Sequence, residues 1–365
     1  MDSREALIGL NMVSTMGSVR LNRLIGRFGA PEKIFSAGIN NLRSVGGVGE
    51  ETARRIKNFD FSRCETEIKE AREKGINIIT VYDEKYPPGL REIHDPPPVI
   101  YIAGRQIPKA DLNIGIVGTR ESDKYGLAAT AKIIKEMAMT GFSFNIISGL
   151  ARGIDTAAHI EALRNSFFTA AVLGFGLNKL YPFNKNPLIE KIYKDGCFLS
   201  EFPLNNTGAK QNFPRRNRCI SGLSDGVLII EAAERSGALI TADCALEQGR
   251  EVFALPGGIF SEKSKGTNEL INQGAKILRG AADILSEFGL EAGKRRPKAA
   301  EKALPPEGLT EEEEKIFRLL EKTAVHIDEI SIKSGIDVMK LNSILTFLEL
   351  KGIVKQLGGK KFIKN

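Results

Sequence analysis

Short apolar runs, separated by helical segments, occupy residues 66–290 and most constrain how this chain can fold. Between the runs lie amphipathic segments such as YGLAATAKIIKEMAMTG and GALITADCALEQGR. Continuous apolar strands that alternate with helices are typical of a parallel sheet covered by helices on both faces. We therefore predict an α/β domain with a Rossmann-like, doubly wound, mainly parallel sheet. Its strands are expected at 76–82, 113–118, 145–149, 168–174, 197–202, 226–233 and 251–257.

The segment before the sheet, residues 1–65, shows short helical patterns with polar breaks and predicts a small helical domain of the SAM or helix-hairpin-helix kind. Within it, LRSVGGVGEETARRI (42–56) resembles a helix-hairpin-helix motif, with glycines forming the tight bend. The N–H groups of such a hairpin can contact a nucleic-acid phosphate. A hairpin of this kind can equally serve as a packing or protein-contact element, and both interpretations stay open.

The segment after the sheet divides into a linker and a further domain. Residues 291–308 are charged, rich in alanine and proline, and without apolar periodicity, which is typical of a linker. Residues 309–365 show helical patterns followed by two strands around a Gly358-Gly359 turn. This order predicts a winged-helix domain, which can bind duplex DNA or proteins.

Composition limits the partners of the chain. The 365 residues carry 52 basic and 45 acidic side chains, a formal net charge of +7, and 42% of the residues are hydrophobic. The hydrophobic content excludes global disorder, and the modest positive charge favours an anionic partner. There is no apolar run of eighteen residues and no signal peptide at the N-terminus, so we expect a cytoplasmic protein without membrane contact.

The cysteines are expected to be buried free thiols of a reducing compartment. Cys64, Cys197, Cys219 and Cys244 are widely spaced and form no CxxC pair. The chain has only three histidines, which excludes a histidine-rich metal centre. We predict no metal site.

Glycine-containing loops follow the second and third of these strands, where ligands of doubly wound sheets bind. Gly118 lets a ligand approach the backbone, and the Thr119 hydroxyl and Arg120 guanidinium can both donate to phosphate. Ser148 and Gly149 end the next strand without an acidic residue for a ribose. Neither GxGxxG nor GxxxxGK[ST] occurs, which disfavours a dinucleotide and an ATPase of the Walker type. We predict no cofactor.

The loop SGLARGIDTAAH (148–159) places Arg152, Asp155 and His159 at the start of a helix. Asp155 lies one turn before His159, so its carboxylate could orient the imidazole ring. No serine or cysteine nucleophile with a motif of its own accompanies them. Structural hydrogen bonding is therefore favoured over catalysis, and we predict no catalytic residue.

A second loop, GFGLNKLYPFNKN, combines aromatic and polar side chains: Lys179, Tyr181, Phe183 and Asn184. Aromatic rings next to cations are typical of loops that stack bases beside phosphates. An ordinary packed loop is an equally good interpretation of the same residues.

A third feature, FPRRNRCISGL (213–223), places Arg215, Arg216 and Arg218 at the start of a predicted helix. Cations oppose the dipole at a helix N-terminus, so an anion bound among them would explain their presence. Ion pairs with nearby acids are the alternative.

These loops together resemble one family. GIVGTR, SGLARGIDTAAH, SEFP, FPRRNRCISGL, VLIIEAAERSGALITADCALEQGREVFALPG and GTNELINQGA, in this order, look like the DNA-processing protein A (DprA/Smf) family over about residues 70–285. The resemblance implies a single-stranded-DNA-binding protein, without established catalytic turnover. It would protect incoming DNA in natural transformation, contact and load the RecA recombinase for homologous recombination, and form a homodimer.

The same resemblance implies DNA contacts at particular positions. Arg120 would contact a phosphate, Lys179 would lie on the loop of a basic pocket, and the three arginines of 213–223 would line the same face. The full set of expected DNA-binding residues is Gly118, Thr119, Arg120, Ser148, Gly149, Arg152, Lys179, Tyr181, Phe183, Asn184, Phe213, Arg215, Arg216, Asn217 and Arg218.

An enzyme is the alternative function. PGGIFSEKSKGTNEL (256–270) resembles an expanded PGGxGTxxE motif of nucleoside-monophosphate phosphoribohydrolases, with Glu269 at the acid position. Seven residues, Ile259 to Lys265, separate PGG from GT, where the motif has one. The insertion is expected to move Glu269 from the acid position.

Overall fold

The computed structural model describes residues 2–13, 16–290, 310–320, 325–350, 353–357 and 361–364. The chain divides into two compact units, Met1–Lys294 and Arg295–Asn365, and each is treated by itself below. The predicted linker at 291–308 and the predicted Gly358-Gly359 turn lie outside the described residues.

Short helices open the first unit. Asp2 begins the first of them with a capping box, because its carboxylate accepts from the Glu5 N–H (2.7 Å) and its own N–H donates to Glu5 (3.2 Å). Gly47 adopts the left-handed region (φ 88°) between the fourth and fifth helices, at the bend of the predicted helix-hairpin-helix. The helices are α1 Ser3–Met12, α2 Ser18–Phe28, α3 Pro31–Ser36, α4 Ile39–Arg43, α5 Glu50–Lys57 and α6 Ser62–Glu73.

One sheet forms the centre of the first unit, and within the described residues it has nine strands in the order β1-β2-β6-β5-β4-β3-β7-β8-β9. From β6 to β9 all neighbours are parallel, whereas β2 runs antiparallel to both β1 and β6. The strands are β1 Ile76–Thr80, β2 Val99–Gly104, β3 Leu112–Val117, β4 Phe144–Ser148, β5 Phe168–Leu173, β6 Cys197–Ser200, β7 Gly226–Ile229, β8 Glu251–Ala254 and β9 Lys276–Ile277.

This topology confirms the predicted Rossmann-like, mainly parallel sheet. Each apolar run that predicted a strand overlaps one, within a residue at its start. Two strands of this sheet were missed: β2, an apolar VIYIAG run directly after three prolines, and β9, which has two exposed residues and no hydrophobic pattern.

Helices cover both faces of the sheet because successive strand residues point to opposite sides. Ile116 and Ile146 pack towards α8 and α9, while their neighbours Val117 and Ile147 pack towards α11 and α12. The helices after the first strand are α7 Pro88–Arg91, α8 Lys124–Met139, α9 Ile154–Arg164, α10 Pro187–Asp195, α11 Asn212–Gly222, α12 Gly237–Glu247, α13 Lys265–Asn272 and α14 Ala281–Glu287. Among the residues that the structure describes, no helix combines the length and the apolarity needed to cross a membrane.

The front helices share a hydrophobic cluster with the sheet. Leu7 of α1 lies in one cluster with Tyr101 of β2 and Phe198 of β6, and all three are fully buried. The predicted domain boundary between residues 65 and 66 falls inside α6. The division of the chain at that point stays a prediction.

The cysteines of the first unit are free thiols, as the sequence predicts. Cys64, Cys197 and Cys219 are buried, and Cys244 is partly buried. Burial raises the pKa of Cys197 and of Cys219 to about 12, so both thiols stay protonated and unreactive at neutral pH.

The second unit is the winged helix that the sequence predicts. The Thr310 side chain accepts from the Glu313 N–H (3.3 Å) and caps its first helix. Its three-stranded sheet, in the order β10-β12-β11, is antiparallel within the described residues. Ile316, Ile330, Leu341 and Phe362 belong to its core. The elements are α15 Glu311–Leu319, β10 Val325–His326, α16 Ile327–Ser334, α17 Val338–Leu350, β11 Val354–Leu357 and β12 Lys361–Lys364.

Leu7→Ala is expected to lower the free energy of unfolding by about 2–5 kcal/mol, because it leaves a cavity in the cluster that α1 shares with the sheet. Chemical denaturation followed by circular dichroism measures this change. The matched control is Leu127→Ala on α8, where the leucine is 42% exposed; the expected change there is within about 0.5 kcal/mol. Unchanged hydrogen-exchange protection of β6 in a destabilised Leu7→Ala variant would contradict a shared core.

Candidate nucleic-acid interface

A crevice of about 380 Å³ opens at the carboxyl ends of β3 and β7. These strands are parallel neighbours, yet the chain leaves β3 towards β4 on the other side, so the order of strands reverses there. Ligands of doubly wound sheets bind at such switch points. The crevice is lined by Gly118, Thr119 and Arg120 after β3, by Ala151 and Asp155 after β4, by Phe213, Arg216 and Asn217 of α11, and by Ser236 and Gly237 at the start of α12.

The loop after β3 presents Arg120 to solvent. Glycine is needed at position 118, since a Cβ there would lie 2.6 Å from Ile154. The Thr119 N–H donates to the Glu231 carbonyl (2.8 Å) and fixes the loop on β7. Arg120 is exposed, its guanidinium carbon lies 5.5 Å from the centre of the Phe213 ring, and the described residues give it no ion pair. Its charge is therefore available to an anion.

The loop after β4 is largely structural. The Ser148 side chain is fully buried and donates to the Ile116 carbonyl (2.6 Å), so it has no surface to offer a ligand in this conformation. The Gly149 N–H donates to Asp155 (3.1 Å), and its carbonyl accepts from Arg216. Arg152 is exposed on the same loop.

His159 and Asp155 form a buried polar layer beneath this loop. His159 is fully buried, and its Nδ1 lies 2.7 Å from the Thr169 hydroxyl. Burial, aided by the charge of Arg216, lowers the pKa of His159 to about 3, so the ring stays neutral. Burial raises the pKa of Asp155, and the charge of Arg216 acts against that rise. Asp155 accepts from the Gly149 and Ala151 N–H groups and His159 contacts Thr169, which supports a structural interpretation of each residue. The two side chains share no hydrogen bond, so Asp155 does not orient the ring as the spacing suggests.

The arginines of α11 lie in three different surroundings. Arg216 is buried and lines the crevice, with its guanidinium donating to the Val172 carbonyl (2.7 Å). Arg218 is buried in ion pairs with Glu201 (2.7 Å) and Asp95 (3.0 Å).

The third arginine of α11 is partly exposed. The Arg215 side chain is 37% exposed, lies 3.3 Å from Glu201 and stacks over Phe202 at 5.0 Å. The expectation that Arg215, Arg216 and Arg218 line one face is wrong. Arg215 and Arg218, three positions apart, both contact Glu201, whereas Arg216, about 100° further round the helix than Arg215, lines the crevice. Ion pairing with acids, the alternative interpretation, describes Arg218 and also Arg215.

Phe213 and Asn217 support the crevice from α11. Phe213 packs on Gly174, where a Cβ would lie 3.0 Å from the ring. The Asn217 amide donates to the Gly237 carbonyl (3.1 Å) and accepts from Arg216 Nε (3.0 Å), so it links α11 to the start of α12.

The Lys179 loop, residues 176–184, lies after β5. Lys179 is exposed, donates to the Thr207 carbonyl (3.3 Å) and lies 4.8 Å over the Phe175 ring. Tyr181 (39% exposed) and Asn184 also face solvent. Phe183, by contrast, is buried and stacked on Tyr193 with ring centres 4.7 Å apart. Phe183 therefore packs as the alternative interpretation expects and is not accessible to DNA, whereas the stacking role of its exposed neighbours stays a prediction.

The N-terminus of α12 is a part of the crevice that sequence reasoning missed. Ser236 caps the helix by accepting from the Ala238 N–H (3.3 Å), and Gly237 lines the crevice. Helix N-termini favour anions through their N–H groups and dipole. The Ser-Gly pair after the β7 strand end was the available signal.

A carboxyl pair fixes the base of the β3 loop and was also missed. Glu231 is 2% exposed and accepts from the Asp123 N–H (3.3 Å), and Gly126 leaves room for its carboxyl, since a Cβ there would lie 2.4 Å from it. Burial and the hydrogen bond with Asp123 raise the pKa of Glu231 to about 7. The hydrogen bond with Glu231 lowers the pKa of Asp123, so Glu231 carries the shared proton.

The segment that resembles a phosphoribohydrolase motif lies apart from the crevice lining. Glu269 is exposed and accepts from the Gln273 amide (2.8 Å). Asn268 exchanges two hydrogen bonds with the Gly257 backbone (3.1 Å each), and Thr267 is buried. The exposed position of Glu269, outside the crevice lining, agrees with the displacement that the insertion predicts.

Comparison with known families identifies this arrangement. The family model described as DNA recombination-mediator protein A matches residues 77–289, and the model described as DprA winged helix domain matches residues 300–360. The chain belongs to the DNA recombination-mediator protein A family. The match includes the sheet strands β2 to β9 and every residue that lines the crevice.

Relatives and solved structures of the DprA family agree with this result. The chain is 33% identical to Protein Smf of Synechocystis over 395 residues (96% of each chain). It is 42% identical to DNA processing protein DprA of Bacillus subtilis over 218 residues (60% of this chain, 73% of that one). The solved structure of DprA from Streptococcus pneumoniae is similar with a TM-score of 0.66 and 32% identity, covering 79% of this chain and 98% of that one.

A second solved relative is a protein that binds nucleic acid. A structure of DNA processing protein A from Helicobacter pylori, which addresses that protein's single-stranded DNA binding mode, is similar with a TM-score of 0.51 and 29% identity. It covers 58% of this chain and 95% of that chain.

Arg218→Ala is expected to lower the free energy of unfolding by about 3–5 kcal/mol, because Glu201 then keeps a buried charge with a weaker partner. Urea denaturation measures the effect. Arg105→Ala is the control, since Arg105 is exposed beyond the end of β2. Equal denaturation midpoints for the two variants would show that the buried pair does not stabilise the fold.

Glu231→Gln is expected to remove part of the pH dependence of stability. The pKa of Glu231 is about 7 in the folded chain and near 4.5 in the unfolded one, so its contribution is full below pH 4.5 and is lost as the pH rises through 7. Each unit of difference corresponds to about 1.4 kcal/mol. Urea midpoints at pH 5 and pH 8 should therefore differ less in this variant than in the wild type. The exposed Glu234→Gln is the control, and an unchanged pH dependence in Glu231→Gln would contradict the shared proton.

Proposed function

We propose that this chain binds single-stranded DNA across the crevice and the Lys179 loop, as a mediator of recombination. The observation that carries the proposal is the exposed guanidinium of Arg120, which lies at the switch point without an ion pair among the described residues. Such a cation beside a helix N-terminus favours a phosphate.

The Lys179 loop, at the same end of the parallel strands as Arg120, adds groups that fit a nucleic-acid strand. Lys179 adds an exposed cation, and Tyr181 adds an aromatic side chain next to it. Cations along a groove with aromatic side chains bind single strands with little sequence preference, because every base has a face that can stack. The H. pylori relative, whose structure addresses single-stranded DNA binding, supports the same class of ligand.

We further propose the cellular role that the family implies. The chain would protect incoming DNA in natural transformation and load the RecA recombinase, acting as a cytoplasmic homodimer. The description of the family as recombination mediators supports this role. For the homodimer, support comes from β9 at the outer edge of the sheet, where Ile277 is 49% exposed. Unpaired strand edges with apolar side chains invite pairing with another chain.

Arg120→Ala and Lys179→Ala are each expected to weaken binding to a single-stranded oligonucleotide without lowering stability. Each lost phosphate contact should flatten the slope of log affinity against log salt by about 0.7. Fluorescence anisotropy over a salt series measures both quantities, with a duplex of the same sequence for comparison.

The matched controls are Arg105→Ala and Lys109→Ala. Both residues are exposed near the amino ends of the parallel strands, since β2 ends beside the first residue of β6 and Lys109 precedes β3. They remove the same charges at the opposite end of the parallel strands. Equal losses of affinity in all four variants would show that binding depends only on the net charge of the protein, and would overturn the proposed site. Release of free base from nucleoside monophosphates by the wild type would instead support the phosphoribohydrolase alternative.

A further inference from the structure

We infer that α6 of the front helical segment belongs to the DNA site, and that Lys74 at its end is a positioning residue for the Lys179 loop. The inference rests on the proposed function, because the loop matters only if it contacts a ligand. Lys74 was not among the residues that the sequence indicated, and it lies 104 positions before its partner Asn178.

Lys74 contacts the Lys179 loop in two ways. Its ammonium donates to the side-chain oxygen of Asn178 (2.7 Å), the residue directly before Lys179. The same nitrogen lies 4.9 Å from the centre of the Tyr181 ring, within the range of a cation–π interaction. Lys74 thus contacts the loop on both sides of Lys179.

Glu70 completes the network from the preceding turn of α6. Its Oε1 accepts from Lys74 and from the Asn178 amide (2.9 Å), and its Oε2 accepts from the Asn205 amide (3.4 Å). Asn178 also donates to Asn205 (2.7 Å). The hydrogen bond from Lys74 lowers the pKa of Glu70, so this carboxyl stays ionised at neutral pH.

A second carboxylate of α6 fixes the segment that accepts a hydrogen bond from Lys179. Glu67 is buried and accepts from the Leu204 N–H (2.7 Å). Three residues further on, the Thr207 carbonyl accepts from Lys179 (3.3 Å). Both the Lys179 loop and its support therefore depend on one helix.

The same geometry argues against Lys74 as a direct phosphate contact. Its side chain is 20% exposed, and its charge is compensated by Glu70 at hydrogen-bond distance. Lys179, by contrast, is exposed and has no ion pair among the described residues. Lys74 acts by ordering the loop before DNA binds. The conformational entropy of the loop is then lost during folding and not during binding, so its loss does not weaken the affinity for DNA.

The test measures single-strand affinity of the full chain carrying Lys74→Met or Glu70→Ala. Residues that share one network commonly couple strongly, and each variant is expected to bind about three- to tenfold more weakly. The sign for Glu70→Ala is diagnostic. Removing an acidic group near DNA would strengthen binding if only charge mattered, whereas loss of positioning weakens it.

Matched controls come from the same helix. Lys69→Ala and Glu73→Ala remove the same charges at exposed positions of α6 that bear no contact to the loop in the structure. We expect Lys69→Ala to have little effect and Glu73→Ala to leave binding equal or slightly tighter. Circular dichroism melting checks that each variant is folded. If Lys74→Met does not fold, the single-strand affinity of Glu70→Ala tests the inference.

A double-mutant cycle with Lys179→Ala separates positioning from direct contact. If Lys74 acts through the loop, Lys74→Met should add little to the loss already caused by Lys179→Ala. Fully additive losses, or tighter binding by Glu70→Ala, would overturn the inference while the proposed function stands. A wild-type chain that binds no single-stranded DNA would overturn both.

Discussion

The crevice depends on the buried guanidinium of Arg216. Its donors go to the Gly149 and Val172 carbonyls, which lie at the ends of β4 and β5, and to the Asn217 side chain. A cation so buried needs this full set of acceptors, because desolvation without them would cost several kcal/mol. Gly149 is required for the contact, since a Cβ there would overlap the guanidinium. The interaction therefore holds α11 against the strand ends and shapes one wall of the crevice.

The cations of this region fall into a buried group and an exposed group. Arg216 and Arg218 are buried and use their donors within the protein, whereas Arg120 and Lys179 are exposed near the carboxyl ends of β3 and β5. The buried pair links elements of the scaffold, and the exposed pair is the part that would contact a phosphate in the proposed site. Rigid placement matters because a groove that is ordered in advance loses less entropy when a flexible strand binds.

The front helices are coupled to the same surface. They bury Leu7 in a cluster with the sheet, and the end of α6 contacts the Lys179 loop through Lys74. The glycines of the helix-hairpin-helix around Gly47 are exposed, whereas its apolar residues such as Val48 and Ile56 are buried, and its role as a phosphate contact or a packing element stays a prediction. The predicted boundary at residue 65 falls inside α6, the helix that makes these contacts.

The sequence by itself determined the architecture, because hydrophobic periodicity reflects which side of each element is buried. It predicted the parallel strands, the winged helix and the loops at the strand ends, and its motifs indicated the family. It did not determine which of several neighbouring charges are buried. FPRRNR contains three similar arginines, yet Arg216 and Arg218 are buried and Arg215 is partly exposed. The Asp123–Glu231 proton and the Lys74–Asn178 contact were also decided by tertiary structure alone. The physical reason is that burial and pairing depend on groups that are distant in the sequence, more than a hundred residues apart for the last two contacts, which local sequence does not encode.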